Sequence, residues 1–324
     1  MNLHWLAKMT LAAVLALAAT VSSGQLYPSK PIRIIVPFPP GGAVDFYARV
    51  VQEPLSEALG QPVIVDNRAG ASGMIGADVV AKAPPDGYTL LLGNIASLAI
   101  NVGIYPKMAY DPAKDFTPIM HTVDVNYVLV VHPSVPANSV AELVAYAKAN
   151  PGKLSYGSAG SGSMPHLSTE LMKALAGIDL VHVPYKGGGP MVTDLLGGSV
   201  QLAIADQANL MPHVKTGKLR ALGVASPKRS AIYPELPTIA ESGFAGYEAT
   251  AWQGLVGPAG MPPDVVRRLN QTLAKVMALP AVRERLISGG LDPVADTPEE
   301  FGRFIRSEIS KWSKIAKDVG AKAE

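Results

Sequence analysis

Apolar and polar positions along this chain follow two rhythms that keep trading places. Short apolar runs give way to stretches with helical spacing, from one end to the other. PIRIIVPF at 31–38 predicts a buried strand. DFYARVVQEPLSEALG at 45–60 sets its apolar residues three and four apart, as an amphipathic helix does. QPVIVDN at 61–67 predicts the next strand, MIGADVVAKA at 74–83 a helix stopped by Pro84 and Pro85, and YTLLLGN at 88–94 a third strand. A βαβαβ order of this kind implies a parallel sheet covered by helices.

The rhythm then lapses. Pro106, Pro112 and Pro118 mark what reads as a long irregular stretch, after which VNYVLVVHP at 125–133 reads as a strand leaving the first unit. SVAELVAYAKAN at 139–150 predicts a helix with Ser139 as its N-cap. Apolar runs at 153–159, 179–185, 200–206 and 219–226 predict four more strands with helices between them. From Tyr247 the chain is extended again. It closes on helices that open with a proline (PPDVV, from Pro262) and with the capping box Thr297 to Glu300. The expected architecture is two α/β lobes, one from 25–124 plus 247–324 and one from 125–246, with the chain crossing between them near 124 and near 247.

Composition narrows the setting. Lys8 precedes the apolar run 10–21, and Ser22, Ser23 and Gly24 precede Gln25, which is the pattern of a cleavable secretory signal over residues 1–24. The run is too short for a membrane span, which needs about 20 apolar residues. The chain holds no cysteine, so disulfides, thiolate nucleophiles and lipidation on cysteine are excluded. A formal net charge of +2 with no basic stripe speaks against nucleic acid as a partner. No other stretch is long and apolar enough to span a bilayer, so the mature chain is expected to be exported and soluble.

Candidate chemistry concentrates at glycine-rich turns between a strand and a helix. PFPPGGAVD at 37–45 and YGSAGSGSMPH at 156–166 each offer free backbone N–H groups and the positive end of a helix dipole, which suit an anion such as a carboxylate. Both belong at carboxyl ends of strands, where open α/β sheets bind ligands. Gly187, Gly188 and Gly189 in PYKGGGPMVTD form a third such turn. Catalytic readings fail on spacing. AGSGS at 159–163 lacks the outer glycines of a nucleophile elbow, no phosphate-loop motif is present, and the histidines are scattered without metal-ligand spacing. Asp206, at the end of the strand QLAIAD, either faces the cleft or ties down a loop through backbone N–H groups. In the cleft it would take a hydroxyl, an amine or water from the ligand, not its carboxylate. Asp45 reads as an N-cap, a role compatible with positioning a cleft water.

Taken in order, YPSKPIRIIVPFPPGGAVD, LGQPVIVDNRAGASGMIGADVVAKAPPDGYTLLLGN, YGSAGSGSMPH, VHVPYKGGGP, PHVKTGKLRALGV and LPTIAESGFAGYEATAWQGLVGPAGMP resemble the Bug family of periplasmic solute-binding proteins, the receptors of tripartite tricarboxylate transporters. The resemblance covers essentially the whole mature chain. It implies a type II periplasmic-binding-protein fold, with a ligand cleft between two lobes and hinge strands joining them. It further implies a non-enzymatic receptor without cofactor or metal, a monomer that passes a small organic carboxylate to membrane subunits of a transporter. Carried onto this chain, the first-lobe contacts fall on Phe38, Gly41, Gly42, Ala43 and Asp45, with Ser97 in the loop after LLLGN. The second-lobe contacts fall on Ser158, Gly160, Ser161, Gly162, Ser163 and His166, with Asp206 nearby. The family often carries Thr at position 43, Asn at position 161 and Asn at position 207, where this chain has Ala43, Ser161 and Gln207. Two other functions stay open at this level. One is a ligand-sensing adaptor for a membrane sensor. The other is an exported α/β hydrolase, which would need a serine, histidine and acid constellation.

Overall fold

The computed structural model describes residues 27–230 and 232–321, so the leader at 1–24 lies outside the described residues. Two sheets organise the chain. The first has six strands: β1 (Ile32–Val36), β2 (Val63–Asn67), β3 (Thr89–Asn94), β4 (Phe116–Val125), β10 (Ala251–Pro258) and β11 (Leu291–Pro293), in the order β11-β4-β10-β3-β1-β2. The second has five: β5 (Tyr127–Val131), β6 (Ser155–Ser158), β7 (Val181–Pro184), β8 (Leu202–Asp206) and β9 (Arg220–Val224), in the order β7-β6-β8-β5-β9.

The βαβαβ reading holds for β1, β2 and β3, which pair in parallel through the helices α1 (Ala43–Leu59) and α2 (Met74–Ala81). The remaining pairings of that sheet, β3–β10, β10–β4 and β4–β11, are antiparallel. β1 and β3 are apolar on both faces: Ile34, Ile35, Val36, Leu90, Leu91 and Leu92 are all buried, as strands covered on both sides must be. Helix α1 ends at Gly60, whose left-handed φ of 70° caps it.

The stretch expected to be irregular around Pro118 is a strand, and this corrects the sequence reading. β4 pairs with β10 on one side and β11 on the other. Pro118 fits because the β4–β10 register shifts beside it, between Leu255 and Val256, and a bulge accommodates a residue that has no N–H for the ladder.

The helices of the second sheet are α4 (Val140–Ala149), capped as expected by Ser139, then α5 (Met164–Ala176), α6 (Gly188–Leu196) and α7 (Gln207–Lys215). A π-helical turn, Ala96–Ile100, leads into the short α3 (Asn101–Ile104) after β3. The C-terminal helices α8 (Pro263–Met277), α9 (Pro280–Ser288) and α10 (Pro298–Asp318) pack on the first sheet. The capping box at Thr297 and Glu300 is formed.

The chain passes between the sheets twice, side by side. Asn126 separates β4 from β5, and its carbonyl accepts the Gln207 N–H of the second lobe at 2.9 Å while its amide donates to Asp292 of the first. On the way back, Ala249 donates its N–H to Ala225 O in the second lobe at 2.9 Å, and Ala251 pairs with Val125 in the first. The two passages flank one another, as paired hinge strands do.

Candidate functional site

A cavity of about 600 Å³ lies between the two lobes. Its first-lobe wall is built by the turn after β1. Gly42 is the N-cap of α1 and offers no side-chain cap, so the first backbone N–H groups of that helix have no side-chain partner. Phe38 and Ala43 line the cavity, while Gly41, Gly42 and Asp45 do not. Asp45 sits behind the turn, 3 % exposed, and is not the N-cap. Its Oδ2 accepts the Gly41 N–H at 3.0 Å and Arg49 Nε at 2.9 Å, and its Oδ1 accepts Asn67 Nδ2 at 3.0 Å. Burial alone would raise this carboxyl, but the bonds from Arg49, Gly41 and Asn67 outweigh it and hold Asp45 below the usual carboxylate range. Gly41 needs its freedom here, because its φ is 92°.

Ser97 is fully buried and also stands behind the wall. Its hydroxyl accepts the Asn94 N–H at 3.1 Å, and Ser97 N donates to Asn94 Oδ1 at 3.1 Å. Asn94, Ile95, Ala96, Ile100, Asn101, Ile104 and Tyr105 reach the cavity from this segment, and Asn94 and Asn101 bring its carboxamides.

The second-lobe wall is the turn after β6. Gly160, Ser161, Gly162 and Ser163 all line the cavity, and Gly188 of the third glycine turn joins them. Ser158 and His166 do not line it; they brace the turn from behind. Ser158 Oγ accepts the Gly160 N–H at 3.2 Å, and Ser163 Oγ donates to Gly160 O at 2.6 Å. His166 Nδ1 accepts the Gly162 N–H at 3.0 Å, which leaves the ring proton of the neutral form on Nε2. His182 lies against His166 with ring centres 4.1 Å apart, and the Tyr156 ring lies beside both, 4.8 Å from His182 and 6.4 Å from His166. Burial lowers His166 below the ordinary histidine range, partly opposed by Glu170. Ser158 Oγ also meets His182 Nε2 at 2.7 Å, but Ser158 is fully buried and its hydroxyl is committed to the turn.

Asp206 joins the two alternatives left open by the sequence. It lines the cavity and it also caps α7, accepting the Ala208 N–H at 2.8 Å. Burial pushes its carboxyl up to about 6, against the pull of the Ala208 and Asn209 N–H groups. Tyr127 faces it across the β5–β8 pair. Among the described residues, no lysine, arginine or histidine lines the cavity, and Asp206 is its one acidic side chain. An anion bound here meets backbone N–H groups, hydroxyls and carboxamides and no cationic side chain.

Sequence reasoning missed Asn94, Asn101, Tyr127 and Gln253. For Gln253 the signal was a lone polar residue inside the apolar run TAWQGLVGP. Trp252, its neighbour, also borders the cavity, but its ring turns to the opposite face of β10, where Nε1 donates to Glu308 at 2.9 Å.

The chain matches the family model described as tripartite tricarboxylate transporter family receptor over residues 47–321. It is 40 % identical to BugT of Bordetella pertussis over 311 residues, 96 % of this chain and 95 % of that protein. Among solved structures it resembles an R. palustris protein with adipate at 40 % identity and a TM-score of 0.79, covering 92 % of this chain and all of that one. It also resembles the periplasmic binding protein BugD, at 35 % identity and a TM-score of 0.75 over 92 % of this chain and all of that one. MatC from Rhodopseudomonas palustris with bound malate follows at 32 % identity and a TM-score of 0.74, over 89 % of this chain and 99 % of that one.

Proposed function

The chain belongs to the tripartite tricarboxylate transporter receptor family, and from that membership we propose that it captures a small organic carboxylate between its lobes and delivers it to the membrane subunits of such a transporter. Family and fold are those of solute-binding proteins. The observation that carries the reading is the pairing of turns: the Phe38–Ala43 turn of one lobe and the Gly160–Ser163 turn of the other line one cavity. Each stands at a helix N-terminus that favours an anion. Adipate and malate on two relatives support a carboxylate as cargo.

The ligand-contacting groups in this reading are Phe38, Ala43, Gly160, Ser161, Gly162, Ser163 and Asp206. Gly41, Gly42, Asp45, Ser97, Ser158 and His166 hold the turns in shape. One lobe comprises 25–124 with 247–324 and the other 125–246, and the mature protein begins at Gln25, in the periplasm, as a monomer. Ligand contacts shared by both lobes favour the closed arrangement over the open one.

Thermal melting of the mature protein against a library of di-, tri- and hydroxycarboxylates tests capture. A ligand at 100 times its Kd adds about 2.7 kcal/mol of stability. A library that leaves the melting temperature unmoved would sink the reading. Uptake in cells lacking the neighbouring membrane subunits tests delivery.

A further inference from the structure

Gln253 is a buried carboxamide for which the protein supplies no partner. The residue is 1 % exposed, and neither its Nε2 nor its Oε1 has a hydrogen bond among the described residues. Unpaired buried amides are rare in folded proteins because each forfeits its hydration. The alternation of β10 fixes which way it turns. Trp252 and Gly254, on either side, face α10: the Trp252 indole binds Glu308, and Phe301 packs where a Cβ on Gly254 would stand. Gln253 therefore takes the other face, and the residue is among those that border the cavity, with its amide packed just under the surface. The β10–β4 register shifts between Gln253 and Gly254 with the extra residue, Thr122, on β4, so β10 keeps its own alternation through Gln253. The residue also stands three positions past Thr250, where the chain re-enters the first lobe.

A carboxamide presents a donor and an acceptor side by side. A bare carboxylate satisfies only the donor. A carboxylate with a hydroxyl or amino group on the adjacent carbon satisfies both, since it offers an acceptor oxygen and a donor at matching separation. Resting on the carboxylate-capture reading, we propose that Gln253 is a specificity-determining residue of the cavity and selects carboxylates that carry a hydroxyl or amino group on the carbon next to the carboxylate.

Two matched pairs test this by calorimetry on the mature chain: malate against succinate, and 2-hydroxyadipate against adipate. The wild type binds the hydroxylated member of at least one pair ten or more times more tightly, because a site built around a hydroxyl leaves polar groups unpaired when it is missing. Gln253→Met, close in size and without the amide, brings that ratio to within about twofold and leaves the melting temperature of the unliganded protein equal or higher, since an apolar replacement removes an unpaired buried group. A purely structural amide gives the reverse, a lower melting temperature with the ratio intact. If Gln253→Met does not fold, Gln253→Glu keeps an acceptor and loses the donor, and it must weaken both members of the pair; unchanged affinities overturn the proposal. Equal binding of both members by the wild type overturns it as well. A wild type that binds none of the four acids defeats the carboxylate reading itself, and this proposal with it.

Discussion

Ile104, at the end of the first lobe's α3, occupies the space that a β-carbon on Gly162 of the second lobe would need. The two residues meet across the cavity, so a β-carbon at position 162 would press on the tip of the Ile104 side chain. Gly162 also has a φ of 76°, which an L side chain adopts at a cost of about 1 kcal/mol. Gly162→Ala is expected to lower affinity for the tightest carboxylate at least tenfold. Adding Ile104→Ala should restore part of it, because the clash is gone while the backbone strain stays. Calorimetry on the single and double variants reads this. No recovery in the double variant would remove the contact from lobe closure.

Asp206 should make the unliganded protein less stable as it ionises. Its folded value, about 6, lies above the ordinary 3.8, so the folded state holds the proton more tightly than the unfolded chain. Stability therefore rises as pH falls from about 6 toward 4, and the cost above pH 6 reaches at most about 3 kcal/mol. Asp206→Asn keeps a side chain able to cap α7. It is expected to melt at the same or a higher temperature at pH 7.5 and to lose Asp206's share of the rise between pH 6 and 4, leaving the share of Asp296, whose carboxyl burial likewise pushes up to about 6. Urea denaturation across that range decides it, and an unchanged pH profile would place the titration elsewhere.

His166 works in the opposite sense. Burial depresses its folded value below the ordinary 6.5, so its stabilising share is present above pH 6.5 and is lost as pH falls through the folded value. Protonation also removes the Nδ1 lone pair that accepts the Gly162 N–H. His166→Leu is expected to cost about 1–3 kcal/mol at pH 7.5, by leaving that N–H unpaired, and to remove the acid-side loss. Melting in an Asp206→Asn background isolates the histidine. A His166→Leu protein as stable as its parent would mean that the Gly162 bond contributes nothing.

Asp45 is expected to shape the first turn without touching cargo. Asp45→Asn removes the charged acceptor shared by the Gly41 N–H, Arg49 and Asn67 and should lower the urea midpoint. The wild-type share of that stability holds above pH 3.8 and fades as pH falls through the lowered folded value. Affinity should drop for every carboxylate by a similar factor, since the turn as a whole loosens. A change in ligand ranking would instead place Asp45 at the cargo.

Periodicity made most of the strands and helices legible, and the two glycine turns were visible because a turn's backbone needs are written in single residues. β4 was hidden by Pro118, since the bulge that tolerates it depends on β10, more than 130 positions away. The site was legible at the level of the turn and less so at the level of the side chain. Phe38, Ala43, Gly160, Ser161, Gly162, Ser163 and Asp206 line the cavity, whereas Gly41, Gly42, Asp45, Ser97, Ser158 and His166 do not. Motif membership cannot separate a residue that faces the cavity from one a turn behind it. Gln253 escaped for a related reason: the sequence marks it as a lone polar residue in an apolar run, but its lack of hydrogen-bond partners is a property of the packed sheet.

The wall without cations has a kinetic side. Point charges reach an approaching anion over roughly a Debye length, about 8 Å at physiological ionic strength, and added salt cuts that reach. Aligned N–H groups and carboxamides act only at close range, once the ligand has shed its water. Capture by this cavity should therefore proceed at an association rate with little electrostatic steering, and so with little dependence on salt. Its affinity should change little between dilute and saline surroundings, with any drift upward as salt screens Asp206. A protein exposed to whatever ionic strength the environment imposes would keep the same grip on its cargo across that range.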